Sequence, residues 1–311
     1  MKNILLLLLL LSSGSQLFAQ DIGLSSFFRP GARVSALYLP EKDLGNGETL
    51  EMSQLRTSLI IPVGGKASFS LKDLEAKASQ HFINVSAGFR QANWNVLPSE
   101  SQIANFSVGF TGISGKLGSG IWFYTGQAGF LQDLDVNTEA SPFAVLAAMK
   151  IKIKGLNKQN FYGLGVAYNG KRFLPIPLIG LRRKIADKTH ITAIFPVQLD
   201  VTTKLSSKTQ LSFLNTVNGF ANQTEVAPNQ ERLMTFGGLR NSLILKYKIS
   251  KGFSLWLEGG VFSFAQLQLF DTDRDQKFTQ SEANFTPFAS VTARINFGKA
   301  LIGSQLFGND F

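Results

Sequence analysis

Along most of the chain, apolar and polar side chains alternate with a period of two. Between Val145 and Lys154 the pattern is nearly free of error: Val145, Ala147, Met149, Ile151 and Ile153 share one face, and Lys150, Lys152 and Lys154 the other. Successive strand residues point to opposite sides, so each such segment predicts a strand with one greasy and one wet face. The pattern recurs in Val34–Leu39, Leu55–Val63, Phe82–Arg90, Ala104–Gly112, Ile121–Phe130, Phe143–Lys154 and Phe161–Tyr168, and then in Leu178–Ile185, His190–Leu205, Gln210–Val217, Leu239–Ile249, Phe253–Leu267 and Phe285–Phe297. Only Leu71–Phe82 also fits helical spacing, through Leu71, Leu74 and Ala78.

The connections give the topology. Ala186–Thr189, Ser206–Thr209 and Ser250–Gly252 read as tight hairpin turns, whereas Asn218–Gly238 and Gln268–Asn284 read as long polar loops. Short turns at one end and long loops at the other predict an all-β, antiparallel, up-and-down transmembrane β-barrel of about 12 strands, within a range of 10 to 14. Both chain ends would then be periplasmic and the long loops external. Gln132–Pro142 fits poorly, because that register asks for a short turn there. A soluble exported sandwich is the competing fold.

The first residues sharpen the reading. Lys2, the apolar run Ile4–Leu11, then Ser12-Ser13-Gly14 and Phe18-Ala19-Gln20 have the make-up of a secretory signal, with cleavage expected after Ala19. The run is too short for a membrane anchor. The expected division is a signal peptide over 1–19 and a barrel over 20–311, exported to the outer membrane of a Gram-negative bacterium. Outer-membrane lipid and the barrel-assembly machinery are then expected partners, and a further protein partner remains open. The chain has no cysteine, which excludes a disulfide framework and a lipoprotein anchor. Its 27 Phe and 29 Gly suit lipid-facing positions and crowded turns. A net charge of +10 could suggest nucleic acid, but the lysines interleave with apolar residues rather than forming a patch, so no nucleic-acid partner is expected.

Phe161-Tyr162-Gly163-Leu164-Gly165-Val166-Ala167-Tyr168, Pro177-Leu178-Ile179-Gly180 and Phe195-Pro196-Val197 before a Ser-Ser-Lys turn resemble an uncharacterised Bacteroidota outer-membrane β-barrel family of unknown function. The resemblance implies fold and location, and assigns no activity or site residues.

Candidate chemistry is sparse. The two histidines, His81 and His190, have no nucleophile or acid at a telling spacing, and no zinc cluster, phosphate loop or nucleophile elbow is present. The expectation is a protein that is not an enzyme: a narrow pore for small, anionic solutes or a structural surface component, with docking to a secretion or surface-protein complex as the alternative. Lys150, Lys152, Lys154, Arg182, Lys184, Lys246 and Lys248 would ring the lumen with cations. Pairing with carboxylates such as Glu258, or a rim position against lipid phosphates, ranks ahead of solute selection, because polar barrel interiors are normal. Trp94, Trp122 and Trp256 are candidates for an interfacial aromatic girdle.

The most specific local pattern is Asp271-Thr-Asp273-Arg-Asp275-Gln-Lys277-Phe-Thr279-Gln-Ser-Glu282. Asp271, Asp273, Asp275 and Glu282 stand at positions 1, 3, 5 and 12 of a twelve-residue Ca2+ loop, with the Lys277 carbonyl and Thr279 at positions 7 and 9. Gln276 replaces the usual glycine, and the flanks read as strands rather than helices. The competing reading is a solvated acidic hairpin.

Overall fold

A computed structural model describes residues 30–297, apart from 46, 71–74, 98–99, 117–119, 136–138, 156, 169–172, 228–229, 272–276 and 284. The signal segment and the tail 298–311 lie outside the described residues, as does part of the ambiguous 71–82 stretch.

Alternation becomes strand throughout: β1 (Gly31–Gly45), β2 (Glu48–Ser70), β3 (Glu75–Trp94), β4 (Ser101–Lys116), β5 (Gly120–Asp133), β6 (Ser141–Gly155), β7 (Lys158–Tyr168), β8 (Phe173–Ala186), β9 (Thr189–Phe195), β10 (Gln198–Lys204), β11 (Thr209–Ala227), β12 (Gln230–Lys248), β13 (Phe253–Phe270), β14 (Lys277–Glu282) and β15 (Thr286–Asn296). From β1 to β13 each pairs antiparallel with the next strand in sequence, β15 pairs with β13, and β1 pairs with β15 to close the sheet, Gly31 opposite Asn296 and Tyr38 opposite Ala289. Both β14 and β15 lie along β13, so they are two halves of one wall strand. The result is a closed, antiparallel barrel of fourteen wall strands, at the top of the expected range.

One miscount explains the faulty register upstream. His190–Leu205, read as one strand, is the hairpin β9–β10, turned at Pro196 and Val197. The extra turn reverses every connection before it. Asp133–Ser141 therefore belongs with the hairpins at the end away from Gly31 and Asn296, here the distal end, where a longer link is at home.

The outer surface carries an apolar belt. Leu146, Leu164, Ile179, Leu243, Val108 and Phe110 point outward and are exposed. Trp122, Lys150 and Tyr162 form one outward row by register, and Tyr168 stacks on Phe173 at 4.7 Å about six residues, or roughly 20 Å of strand, further on. Aromatic rows bounding an apolar band are the exterior of a transmembrane barrel.

Interior packing departs from the expected wet lumen. Phe82, Ile113, Phe123, Met149, Ile151, Phe161, Ile176 and Val217 are buried together on one side of the barrel. A second cluster at the distal end joins Leu39, Trp94, Ile103, Phe143, Phe220, Phe236, Phe262 and Phe288. Within it Phe220, Phe236, Phe262 and Phe288 follow one another at centroid spacings of 5.8, 5.4 and 5.1 Å.

The distal cluster exists because the β11–β12 hairpin folds inward. Asn218–Gly238, expected as a polar loop, is instead continuous ladder from Val217 opposite Leu239 to Glu225 opposite Glu231. Gly219 faces Gly237, and Gly238 faces Asn218, so three of these four residues carry no side chain to stiffen the ladder. Next to it the β12–β13 register slips between Gly237 and Leu239, and Phe264 has φ 52. A bulge of this kind bends a strand pair. Beyond the bend, Leu233, Met234, Thr235, Phe236 and Gly237 are buried in succession, so both faces of the hairpin are covered. The Gln223 N–H donates to Ser141 Oγ of β6 at 3.2 Å, across the barrel. Gln268–Asn284 is likewise not all loop, since Gln268–Phe270 ends β13 and Lys277–Glu282 is β14.

A smaller feature of the wall is a glycine slot. His81, Gly112 and Tyr124 share an outward row, and a Cβ at Gly112 would fall on the Tyr124 ring. That slot lets the Tyr124 hydroxyl reach His81 Nδ1 at 2.9 Å. Gly112→Val is expected to lift the ring and cost about 1–3 kcal/mol. Urea unfolding in lipid vesicles measures this, and Tyr124→Phe, which keeps the ring, should lose less.

A candidate lumenal site

Strand β13 sets the site. Ser254, Trp256, Glu258 and Phe262 turn inward while Leu257 faces out, so an indole and a carboxylate stand two residues apart on the lumenal face. From β12, Arg240 meets the carboxylate: Nη2 lies 2.6 Å from Glu258 Oε2 and Nε donates to Oε1 at 2.9 Å. Both residues are nearly fully buried, and the Arg240 guanidinium also lies 4.7 Å from the Phe288 ring.

The Trp256 ring is surrounded by cations. Lys246 Nζ lies 4.8 Å from its centroid, and the guanidinium carbons of Arg33 and Arg294 lie 5.5 and 5.8 Å away. Arg33 and Arg294 are direct register partners on β1 and β15. Like charges opposite one another on a sheet repel, and an aromatic face between them offsets only part of that cost. No acceptor reaches the buried Trp256 Nε1 among the described residues.

Further round the wall, Arg56 donates from Nη2 to Ser86 Oγ at 3.2 Å, and Ser86 hydrogen-bonds Ser107 at 2.6 Å, which in turn accepts from Gln127 Nε2 at 2.5 Å. Arg90 gives one bond, from Nη2 to Gln54 Oε1 at 3.2 Å, and its Nε and Nη1 have no acceptor among the described residues. Its guanidinium sits 4.0 Å from the Phe220 ring of the folded-in hairpin. The folded-in hairpin therefore rests on a buried cation. On the facing wall Arg182 points inward from β8; it and Asp200 are the register partners of Thr192, and Thr202 donates to Asp200 at 2.7 Å.

The inner face of the wall is thus rich in cations. Arg33, Arg294 and Lys246 surround Trp256, Arg90 and Arg240 reach the distal phenylalanines, and Arg182 is buried on the inner face of β8. Fixed positive charge inside low-dielectric walls concentrates anions.

The expected cations divide between two faces. Arg182, Lys246 and Lys248 share inward faces; Lys184 follows Arg182 but lies at the exposed end of β8, 3.2 Å from Asp187. Lys150, Lys152 and Lys154 are a correction. Val145, Ala147, Met149 and Ile151 are buried inside the barrel, so the lysines point outward. A lysine-lined lumen requires the apolar face of β6 to meet lipid, whereas that face packs against Phe82, Phe123 and Phe161. Lys150 instead stands in the outward row with Trp122 and Tyr162, a depth at which a lysine reaches lipid phosphates. Of the three tryptophans, Trp122 faces out and Trp94 and Trp256 face in, so the latter two are not girdle residues.

Arg33, Arg56, Arg90, Arg240 and Arg294 escaped the sequence reading. Each is a lone arginine on the polar face of a strand, without the alternating run that marks the lysines of β6. The face was legible in Arg294, which alternates with Ala293 and Ile295.

The acidic segment is divided by the β13–β14 hairpin. Asp271 follows β13, while Asp273 and Asp275 lie outside the described residues. Lys277 pairs with Phe270, Thr279 with Leu269, and Glu282 with Gln266. Glu282 therefore sits five residues down the ladder from Asp271, about 16 Å of strand. Calcium takes its oxygens at about 2.3–2.6 Å, so these two carboxylates do not close one twelve-residue loop. Among the described residues no three His, Asp or Glu gather as a metal site.

Residues 15–298 match the family model described as Domain of unknown function (DUF6268). The chain belongs to that family. No curated protein matches it. Among solved structures it is similar to the transport unit of the autotransporter AIDA-I from Escherichia coli, at 9% identity and TM-score 0.34, covering 96% of this chain and 98% of that one. It is also similar to the siderophore receptor PirA from Pseudomonas aeruginosa, at 8% identity and TM-score 0.29, covering 86% and 80%. OmpT, an outer membrane protein of Vibrio cholerae, overlaps at 10% identity and TM-score 0.27, covering 86% and 96%. Overlap at this level bears on neither ligand nor activity.

Two outcomes test the site. Glu258→Ala strands a buried guanidinium and is expected to cost about 3–5 kcal/mol in vesicle unfolding, largely recovered in the Arg240→Leu/Glu258→Leu pair. Any calcium heat from the acidic hairpin should survive Glu282→Gln unchanged in isothermal titration, since that carboxylate lies too far down the ladder to share an ion with Asp271.

Proposed function

We propose that this DUF6268 protein is a non-enzymatic outer-membrane barrel that is closed at rest by its own β11–β12 hairpin, and that its basic lumen admits small anions when the hairpin withdraws. The apolar belt between aromatic rows supports the membrane location. The carrying observation is the hairpin itself: buried on both faces beyond its glycine bend, it stands across the lumen with Phe220 over Arg90 and Gln223 bonded to Ser141. A lumen filled by side chains does not behave as an open porin. The cations on the inner face, Arg90, Arg182, Arg240 and Arg294 among them, support anions over cations as the species admitted.

Planar-bilayer recording tests both halves. The whole protein is expected to be silent, and a variant in which 219–237 is replaced by a short turn is expected to give steps that favour chloride over potassium. Arg33→Gln/Arg294→Gln in that background should reduce the anion preference. Wild-type protein that conducts steadily overturns the closed state. A silent truncated variant that refolds and co-purifies with another protein supports docking, the competing role, in place of conduction.

A further inference from the structure

The barrel wall has a seam. Strands β9 and β10 are seven residues each, between β8 with 14 and β11 with 19. β8 pairs with β9 only from Ile179, opposite Phe195, and β10 reaches β11 only as far as Gln198 opposite Thr216. Above that hairpin no described strand pairs with the second edge of β8 over Phe173–Leu178. β11 does not fill the gap, because it turns inward there.

A free strand edge facing lipid leaves backbone groups without partners, which is costly. The sequence lowers that cost at the right positions. The Lys184 N–H bonds the Asn157 carbonyl of the β6–β7 turn, and the β7–β8 ladder then runs unbroken from Lys158 opposite Arg183 to Tyr168 opposite Phe173. Even-numbered residues of β8 therefore address β7, and odd-numbered ones address the open edge. Two of the three odd positions in Phe173–Leu178 are Pro175 and Pro177, which have no N–H to leave unsatisfied. Their register partners Val166 and Leu164 lie between Tyr162 and Tyr168, so the seam is at membrane depth. The same prolines prevent another chain from adding a strand here.

Behind the seam the surface is apolar. Leu174, Ile176 and Leu178 face inward, and Ile176 and Leu178 are packed with Ile194, Val197, Val217 and Ala167. Among the described residues, this apolar packing, and no backbone ladder, lies along the open edge of the stretch. Further along the inward face of β8 come Gly180 and then the buried cation Arg182. One strand thus presents an apolar track ending in a positive charge.

Resting on the closed-lumen reading, we infer that the β8–β11 seam is a lateral gate, through which a long-chain amphiphile with an anionic head passes between the bilayer and the barrel interior. Its chain lies along Ile176 and Leu178, and its head lies toward Arg182.

The test uses the full chain in phosphatidylcholine vesicles with palmitate carrying a terminal diazirine, photolysed and mapped by peptide mass. Expected adducts fall on inward Ile176, Leu178, Ile194 or Val197, and are lost when excess unlabelled palmitate, but not cetyltrimethylammonium, is present. Arg182→Gln should abolish that discrimination while interior adducts persist. Adducts confined to outward Phe173, Ile179 and Phe195 are ordinary lipid contact and overturn the gate. Competition by both amphiphiles equally overturns the assignment of the head. Conductance of the same vesicles separates the two proposals: steady current with interior adducts removes the closed lumen and keeps the gate, whereas silence with outward adducts does the reverse.

Discussion

A sheet immersed in hydrocarbon must leave no backbone group without a partner, and this protein is organised by that demand. Closure between β1 and β15 removes the two edges that a fourteen-strand meander would otherwise expose. Where the wall does lack a ladder, above β9–β10, the chain answers in two ways. On one side prolines delete the donors, and on the other β11 leaves the wall and finds Ser141 across the lumen. The inward hairpin and the seam are therefore one event: shortening β9 and β10 frees β11 to bend, and the bend supplies the plug.

The plug has an electrostatic counterpart. Burying arginine is expensive unless its charge is answered. Glu258 answers Arg240 directly, while aromatic faces answer others, Trp256 for Arg33 and Arg294 and Phe220 for Arg90. The last contact ties the cationic lumen to the hairpin that closes it.

The fold was legible because alternation is a backbone property, and each strand kept it. What failed was parity. His190–Leu205 alternates straight through a turn, since Phe195-Pro196-Val197 carries no glycine or asparagine to punctuate it. Asn218–Gly238 looked like a loop because glycine and asparagine cluster there, yet those residues make the bend. For Lys150, Lys152 and Lys154, the rule that the polar face is the lumen assumed water inside, and a packed interior reverses it. The site was less legible than the fold because lone arginines from β1, β2, β3, β12 and β15 meet only once the ends of the chain are joined. The acidic spacing at Asp271–Glu282 was a true sequence pattern. A hairpin ladder, however, separates residues that a helical flank would bring together.

The β1–β15 pairing also bears on how the molecule comes to exist. Its partners stand at opposite ends of the described chain, so the contact has almost the greatest loop length the sequence allows. Local hairpins form early, and pairings this distant form slowly and late. Until then the nascent sheet has two raw margins, one of them bearing Arg33 and the other Arg294. These two arginines repel, and both reach the ring of Trp256, which is carried on β13. The two margins thus meet beside a ring carried on a strand that does not itself make the final join, which places Trp256 where its fluorescence reports that join.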